Sequence, residues 1–78
     1  MREFWIYLAS VQDVQEFVSL TVTRDFPITV RDRSNKINAD SFMELFCLDF
    51  TQPLRVVCQC TEEEARLLKE DLRRFLAE

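Results

Sequence analysis

The chain contains no histidine and no glycine. Without an imidazole there is no Ser-His-Asp triad, no histidine metal ligand and no phosphohistidine chemistry. Without glycine no Gly-rich loop can cradle a phosphate, and every turn must avoid strongly positive φ or use Asn or Asp to reach it. Lysine is scarce as well, with two residues against eight arginines. The cysteines, Cys47, Cys58 and Cys60, are odd in number, which argues for free thiols rather than a disulfide framework. Structural zinc needs four ligands, so Cys58 and Cys60 are expected to pack as small apolar side chains, with no metal site and no cofactor. No apolar run is long enough to span a bilayer, and the first ten residues hold too short an apolar stretch, broken by Glu3, for a signal peptide. The expectation is a cytoplasmic protein with no membrane segment.

What is present suits one small globule. Of the 78 residues 47% are hydrophobic, with seven Phe, so a single domain over 1–78 is expected rather than disorder. The net charge is −4, and Arg31, Arg33, Arg55, Arg66, Arg73 and Arg74 are scattered among acids. Such a surface repels nucleic acid, and none is expected as a partner.

Four Ser/Thr-x-x-acid boxes punctuate the chain: Ser10–Asp13, Thr29–Asp32, Ser41–Glu44 and Thr61–Glu64. Each is a candidate helix start, the hydroxyl accepting from the N3 amide and the acid from the cap's own N–H. Residues 2–8 alternate as a strand, with Phe4, Ile6 and Leu8 on one face and Trp5 and Tyr7 on the other. After Ser10, Val11, Val14, Val18 and Val22 recur at helical spacing beside Phe17 and Leu20, a helix of about three and a half turns. Pro27 opens a second strand over 26–30, so the Thr29 box is a chance match. A polar turn over 31–35 and a short third strand over 36–38 follow. Ser41 then caps a short helix in which Phe42, Leu45 and Phe46 fall on one side. Leu54, Val56, Cys58 and Cys60 share a face of a fourth strand. Thr61 starts the clearest helix, expected from Glu62 to about Leu76, with Glu62–Glu64 at its positive end and Arg73 and Arg74 near its negative end. The order β-α-β-β-α-β-α predicts an α+β fold, a four-stranded antiparallel sheet with helices on one face, forming an open-faced β-sandwich.

That order, the length and the segment Lys36-Ile-Asn-Ala-Asp-Ser-Phe-Met-Glu-Leu-Phe-Cys-Leu-Asp-Phe-Thr-Gln52 resemble HPr, the phosphocarrier family of the bacterial sugar phosphotransferase system. The likeness runs without a gap from about Ser10 to Val57, through Phe17-Val18, Ile28-Thr29-Val30 and Ser41, and the two ends agree in pattern only. In HPr a histidine at the start of the first helix carries the phosphoryl group, and an arginine and a proline follow it. The matching positions here hold Ser10, Gln12 and Asp13, so the resemblance implies a relative without histidine phosphotransfer. Gram-positive HPr carries a second phosphorylation site, a serine capping the middle helix, and this matches Ser41.

The expected function is therefore a non-enzymatic, HPr-like regulatory or docking protein with no catalytic residue. Ser41 is its candidate phosphorylation site, although Asp40 and Glu44 oppose a dianion there and a plain helix cap explains the residue as well. Ser10 reads as an ordinary cap. The resemblance places protein docking on Gln12, Gln15 and Ser19 of the first helix and on Phe42, Met43 and Phe46 of the second. It implies protein partners of a monomer or weak dimer: phosphotransferase-system enzymes, HPr kinase or a transcription regulator. The competing expectation is an unrelated small α/β subunit or ligand-binding regulatory module that shares only the architecture.

Overall fold

Alternation of Phe4 and Ile6 with Glu3 and Trp5 makes β1 (Arg2–Ile6) a strand with one buried face. It belongs to a computed structural model that describes residues 2–77. The following elements are α1 (Val11–Thr21), β2 (Ile28–Arg31), β3 (Lys36–Asn38), α2 (Phe42–Leu45), β4 (Leu54–Cys58) and α3 (Glu62–Asp71), then a 3-10 turn over Arg73–Phe75. The strands form one antiparallel sheet in the order β1-β4-β2-β3. The core is one cluster in which Phe4, Ile6, Val30, Leu54, Val56 and Cys58 of the sheet meet Val14 and Phe17 of α1, Leu45 of α2 and Leu68 of α3. All three α-helices thus cover the same sheet face, and Trp5, Tyr7, Arg31 and Arg55 lie on the other. The chain is an α+β domain, and no helix among the described residues is long and apolar enough to cross a membrane.

Several expectations need correction. The first strand stops at Ile6 rather than Leu8, and the fourth at Cys58, leaving Cys60 half-buried beyond it. The second runs over Ile28–Arg31 rather than 26–30, because Pro27 has no N–H for a ladder. In α1 the buried positions are Val14, Phe17 and Thr21, while Val11 and Val22 are each 57% exposed. Thr21 is tolerated inside because its hydroxyl donates to the Phe17 carbonyl at 3.0 Å.

The largest departure is the last helix. Instead of running to Leu76, α3 ends at Asp71, and Leu72 leaves the helical region at φ −99°, ψ 9°. The 3-10 turn drops Phe75 into the core, and Leu76 becomes extended and bridges Ile6. The Phe75 carbonyl accepts from Tyr7 N–H at 2.7 Å, and Ala77 N–H donates to the Trp5 carbonyl at 2.9 Å. Covering the free edge of β1 satisfies backbone groups that one more helical turn would leave open.

No described residue has positive φ, so the turns avoid the left-handed region rather than borrowing Asn for it. The β2–β3 turn relies on Asp32 instead. Its Oδ1 accepts from Ser34 N–H at 2.8 Å and Asn35 N–H at 2.7 Å, and its Oδ2 from Asp49 N–H at 2.9 Å and the Asn35 amide at 3.3 Å. One carboxylate thereby ties the turn to the loop after α2. These donors, Ser34 first, hold its pKa down from 3.8 to about 2. A depressed carboxylate stabilises the fold fully above its unfolded pKa and loses that effect as pH falls through the folded one. The melting temperature is therefore expected to fall between about pH 4 and pH 2, and Asp32→Asn should flatten that segment of a calorimetric pH series. An unchanged slope in the variant would show that Asp32 is not the group responsible.

Candidate functional site

The two serines sit in different local chemistry. Ser10 is a true N-cap: its Oγ accepts from Asp13 N–H at 3.1 Å. Asp13 does not complete the box on Ser10, because its Oδ2 accepts from Ala9 N–H at 2.9 Å. The cation near this helix start is Arg74, whose Nη2 reaches Asp13 Oδ1 at 3.2 Å and Glu16 Oε2 at 2.5 Å. That guanidinium is engaged by two carboxylates and also lies over the Phe75 ring, 4.2 Å from its centroid. The one side-chain hydrogen bond of the Ser10 hydroxyl among the described residues is the one it accepts from Asp13 N–H.

Ser41 departs from the simple capping reading. It precedes α2 at φ −89°, ψ 76°, and its hydroxyl makes no cap hydrogen bond. Only the backbone is engaged, with Ser41 N–H donating to Asn38 at 3.0 Å and its carbonyl accepting from Leu45 N–H at 3.1 Å. The side chain is half-buried between the exposed Asp40 and Glu44. By contrast the Thr61 box is complete in both directions, at 3.1 Å and 2.9 Å, and Thr29 lies within β2.

A helix of four residues has few hydrogen bonds of its own, so α2 exists through what it buries. Leu45 is fully enclosed, and Phe42 packs half-buried against the core. Phe46 is 37% exposed and Met43 77% exposed. Phe42 meets Phe46 edge-to-face at 5.1 Å between centroids, and Phe46 meets Phe50 in the same way at 6.3 Å. The result is a ridge of three rings whose inner members anchor it and whose middle ring and neighbouring Met43 face outward. Edge-to-face pairs of this kind fix ring orientation, so the ridge is presented as a rigid surface. Phe50 was not among the expected site residues. Its spacing of four from Phe46 was a usable signal, masked because α2 ends before it.

On α1, Gln12, Gln15 and Ser19 are exposed as expected. The Ser19 hydroxyl turns back onto its own helix, donating to the Gln15 and Glu16 carbonyls. Although α1 packs against α2, no hydrogen bond among the described residues joins these three, or Ser10, to Ser41 or the ring ridge.

The cysteines do not form a further site. Burial pushes the Cys58 thiol up to about 12, with Cys60 beside it adding to the shift, and burial raises Cys60 as well. Both stay protonated, apolar-like groups, while Cys47 is exposed. Among the described residues no group of three or more Cys, Asp or Glu is placed to hold a metal ion. No protein-family model matches the chain, and no curated protein matches it.

Proposed function

We propose that this chain is a non-enzymatic docking module of HPr-like character that works through the ridge on α2. The observation that carries the reading is the outward display of Met43 and Phe46 on a short helix fixed by Phe42, Leu45 and Phe50. A rigid aromatic and methionine surface is typical of the buried centre of a protein interface, and the other exposed residues of α2 and its start are polar or acidic. The HPr-like part rests on the order of elements and on the sequence likeness from Ser10 to Val57. At the position of the carrier histidine stands Ser10, whose hydroxyl is occupied as a cap. At the position of the regulatory serine stands Ser41, whose hydroxyl is uncommitted.

Two incubations test this reading. With HPr kinase and ATP, phosphate is expected on Ser41 by mass spectrometry, although Asp40 and Glu44 slow it. With enzyme I and phosphoenolpyruvate, no phosphate is expected on Ser10. Phosphate on Ser10 would overturn the loss of carrier chemistry. Absence of both Ser41 modification and kinase binding would overturn the HPr-like reading and leave the ridge as a docking surface for another class of protein.

A further inference from the structure

The sheet face away from the helices carries a row of one residue from each strand. Trp5 stands opposite Arg55, Arg55 opposite Arg31, and Arg31 opposite Lys36. Like charges directly opposed across strands destabilise a sheet, and this row opposes two such pairs. Arg55 has a counter-ion in Glu3, which accepts from its Nε at 2.8 Å. Arg31 and Arg33 have no ion-pair or side-chain hydrogen-bond partner among the described residues, and Arg31 Nε is buried with no acceptor. A buried donor of a charged group left without an acceptor is costly; Arg31 as a whole is only half-buried, and an anion placed against the accessible part of the same guanidinium would offset that cost.

The row borders a cleft of about 770 Å³ lined by Trp5, Arg31, Arg33, Arg55, Cys47 and Pro53 among others. Its volume lies in the range of small-molecule sites, roughly 300–1,000 Å³. Its walls are the β2–β3 turn and the loop after α2, the two segments that Asp32 pins together. The cleft is therefore preformed, which lowers the ordering cost of binding.

Charge and shape select the ligand. The lining guanidinium groups of Arg31, Arg33 and Arg55 outnumber the lining carboxylates of Asp32 and Asp49 by one, and outside the lining the charge of Lys36 in the row is offset by that of Glu3, the partner of Arg55. Asp32 is saturated by N–H donors, and Asp49 Oδ1 accepts from the Thr51 N–H and hydroxyl. One positive charge is left in excess while Arg31 donors stay free, which suits a monoanion rather than a phosphate dianion. A planar carboxylate fits the guanidinium fork, and Trp5, half-exposed at the end of the row, offers a ring to a flat body. We propose that this cleft binds a small monocarboxylate with a flat aromatic body, its carboxylate on Arg31 and its ring against Trp5. The cleft adjoins the α2 ridge along the loop after α2 but shares no lining residue with it.

Titration of the nitrogen-15-labelled chain with 1-naphthoate tests the proposal, because the single tryptophan gives one unambiguous indole N–H signal. That signal and the Arg31 Nε–H are expected to shift saturably, with millimolar or tighter affinity. The neutral 1-naphthalenemethanol should bind at least about tenfold more weakly, as should Arg31→Met with naphthoate, since the charge-assisted pair is lost in each. Inorganic phosphate should bind more weakly than naphthoate. Equal binding of the alcohol, tighter binding of phosphate, or a stationary Trp5 signal up to about 10 mM ligand would each overturn it. Should Arg31→Met not fold, the acid-against-alcohol comparison on the unaltered chain still decides.

Discussion

Replacing Phe17 by alanine is expected to lower stability by about 3–5 kcal/mol, the largest effect of any single truncation in this fold. Phe17 has no exposed surface and is the largest of the fully buried side chains. It sits on α1, whose abundance of valine makes it a mediocre helix former, so the helix depends on what this ring packs against. A chain of this size has roughly 4–12 kcal/mol of stability in all, at about 0.05–0.15 kcal/mol per residue. The variant is thus expected to be partly unfolded at physiological temperature. Urea denaturation followed by far-ultraviolet circular dichroism measures it, with Val22→Ala, at the exposed end of the same helix, as the reference. Phe17→Leu should recover most of the loss. Equal midpoints for Phe17→Ala and Val22→Ala would refute the central place given to this ring.

The second large effect is expected in binding rather than stability. On the docking role proposed for the ridge, with HPr kinase as the test partner, Met43→Asp with Phe46→Asp should weaken binding by about 30-fold to 1,000-fold, since central hot-spot side chains each contribute about 2 kcal/mol or more. The cost in stability should be smaller, about 1–2 kcal/mol, from the two edge-to-face contacts of Phe46. Met43 contributes little to that figure because it is mostly in solvent. Phe42 is left intact because it packs on the core, where an aspartate would confound docking with unfolding. Titration calorimetry on the folded double variant separates the two effects. Unchanged affinity would remove the ridge from the binding surface, and complete unfolding would place Phe46 among the residues that hold the core together.

Much of this architecture was legible in the residues themselves. Alternation in β1 and β4 put Phe4 with Ile6, and Leu54 with Val56 and Cys58, on one face of each strand, and those are the faces that the fold buries. The boxes at Ser10 and Thr61 marked real helix starts, because local side-chain–backbone bonding depends only on neighbours. The end of α3 was not legible. Leu72, Phe75 and Leu76 have helical spacing, yet the open edge of β1 offered them sheet-type hydrogen bonds, and that edge is some seventy positions away in the chain. The row of Trp5, Arg55, Arg31 and Lys36 was hidden for the same reason. Pattern within a strand gives its faces, whereas register between strands decides which residues become neighbours. Ser41 shows a third limit, since the motif for a capping box was present while the backbone at φ −89°, ψ 76° did not turn the hydroxyl toward the helix.

The absence of positive φ has a consequence for how this chain tolerates change. Where a turn needs the left-handed region, glycine, and to a lesser degree Asn or Asp, fit best, and most other substitutions there are penalised whatever the new side chain does. None of the described positions has that restriction, so nearly every L-residue other than proline is sterically admissible throughout the backbone. Loops without glycine also have fewer conformations to lose on folding, a gain of about 0.4–1 kcal/mol at each position where glycine would otherwise stand. Saturation mutagenesis of the loops at 32–35 and 46–53 would consequently report hydrogen bonding and packing directly, with the Asp32 network standing out against a permissive background.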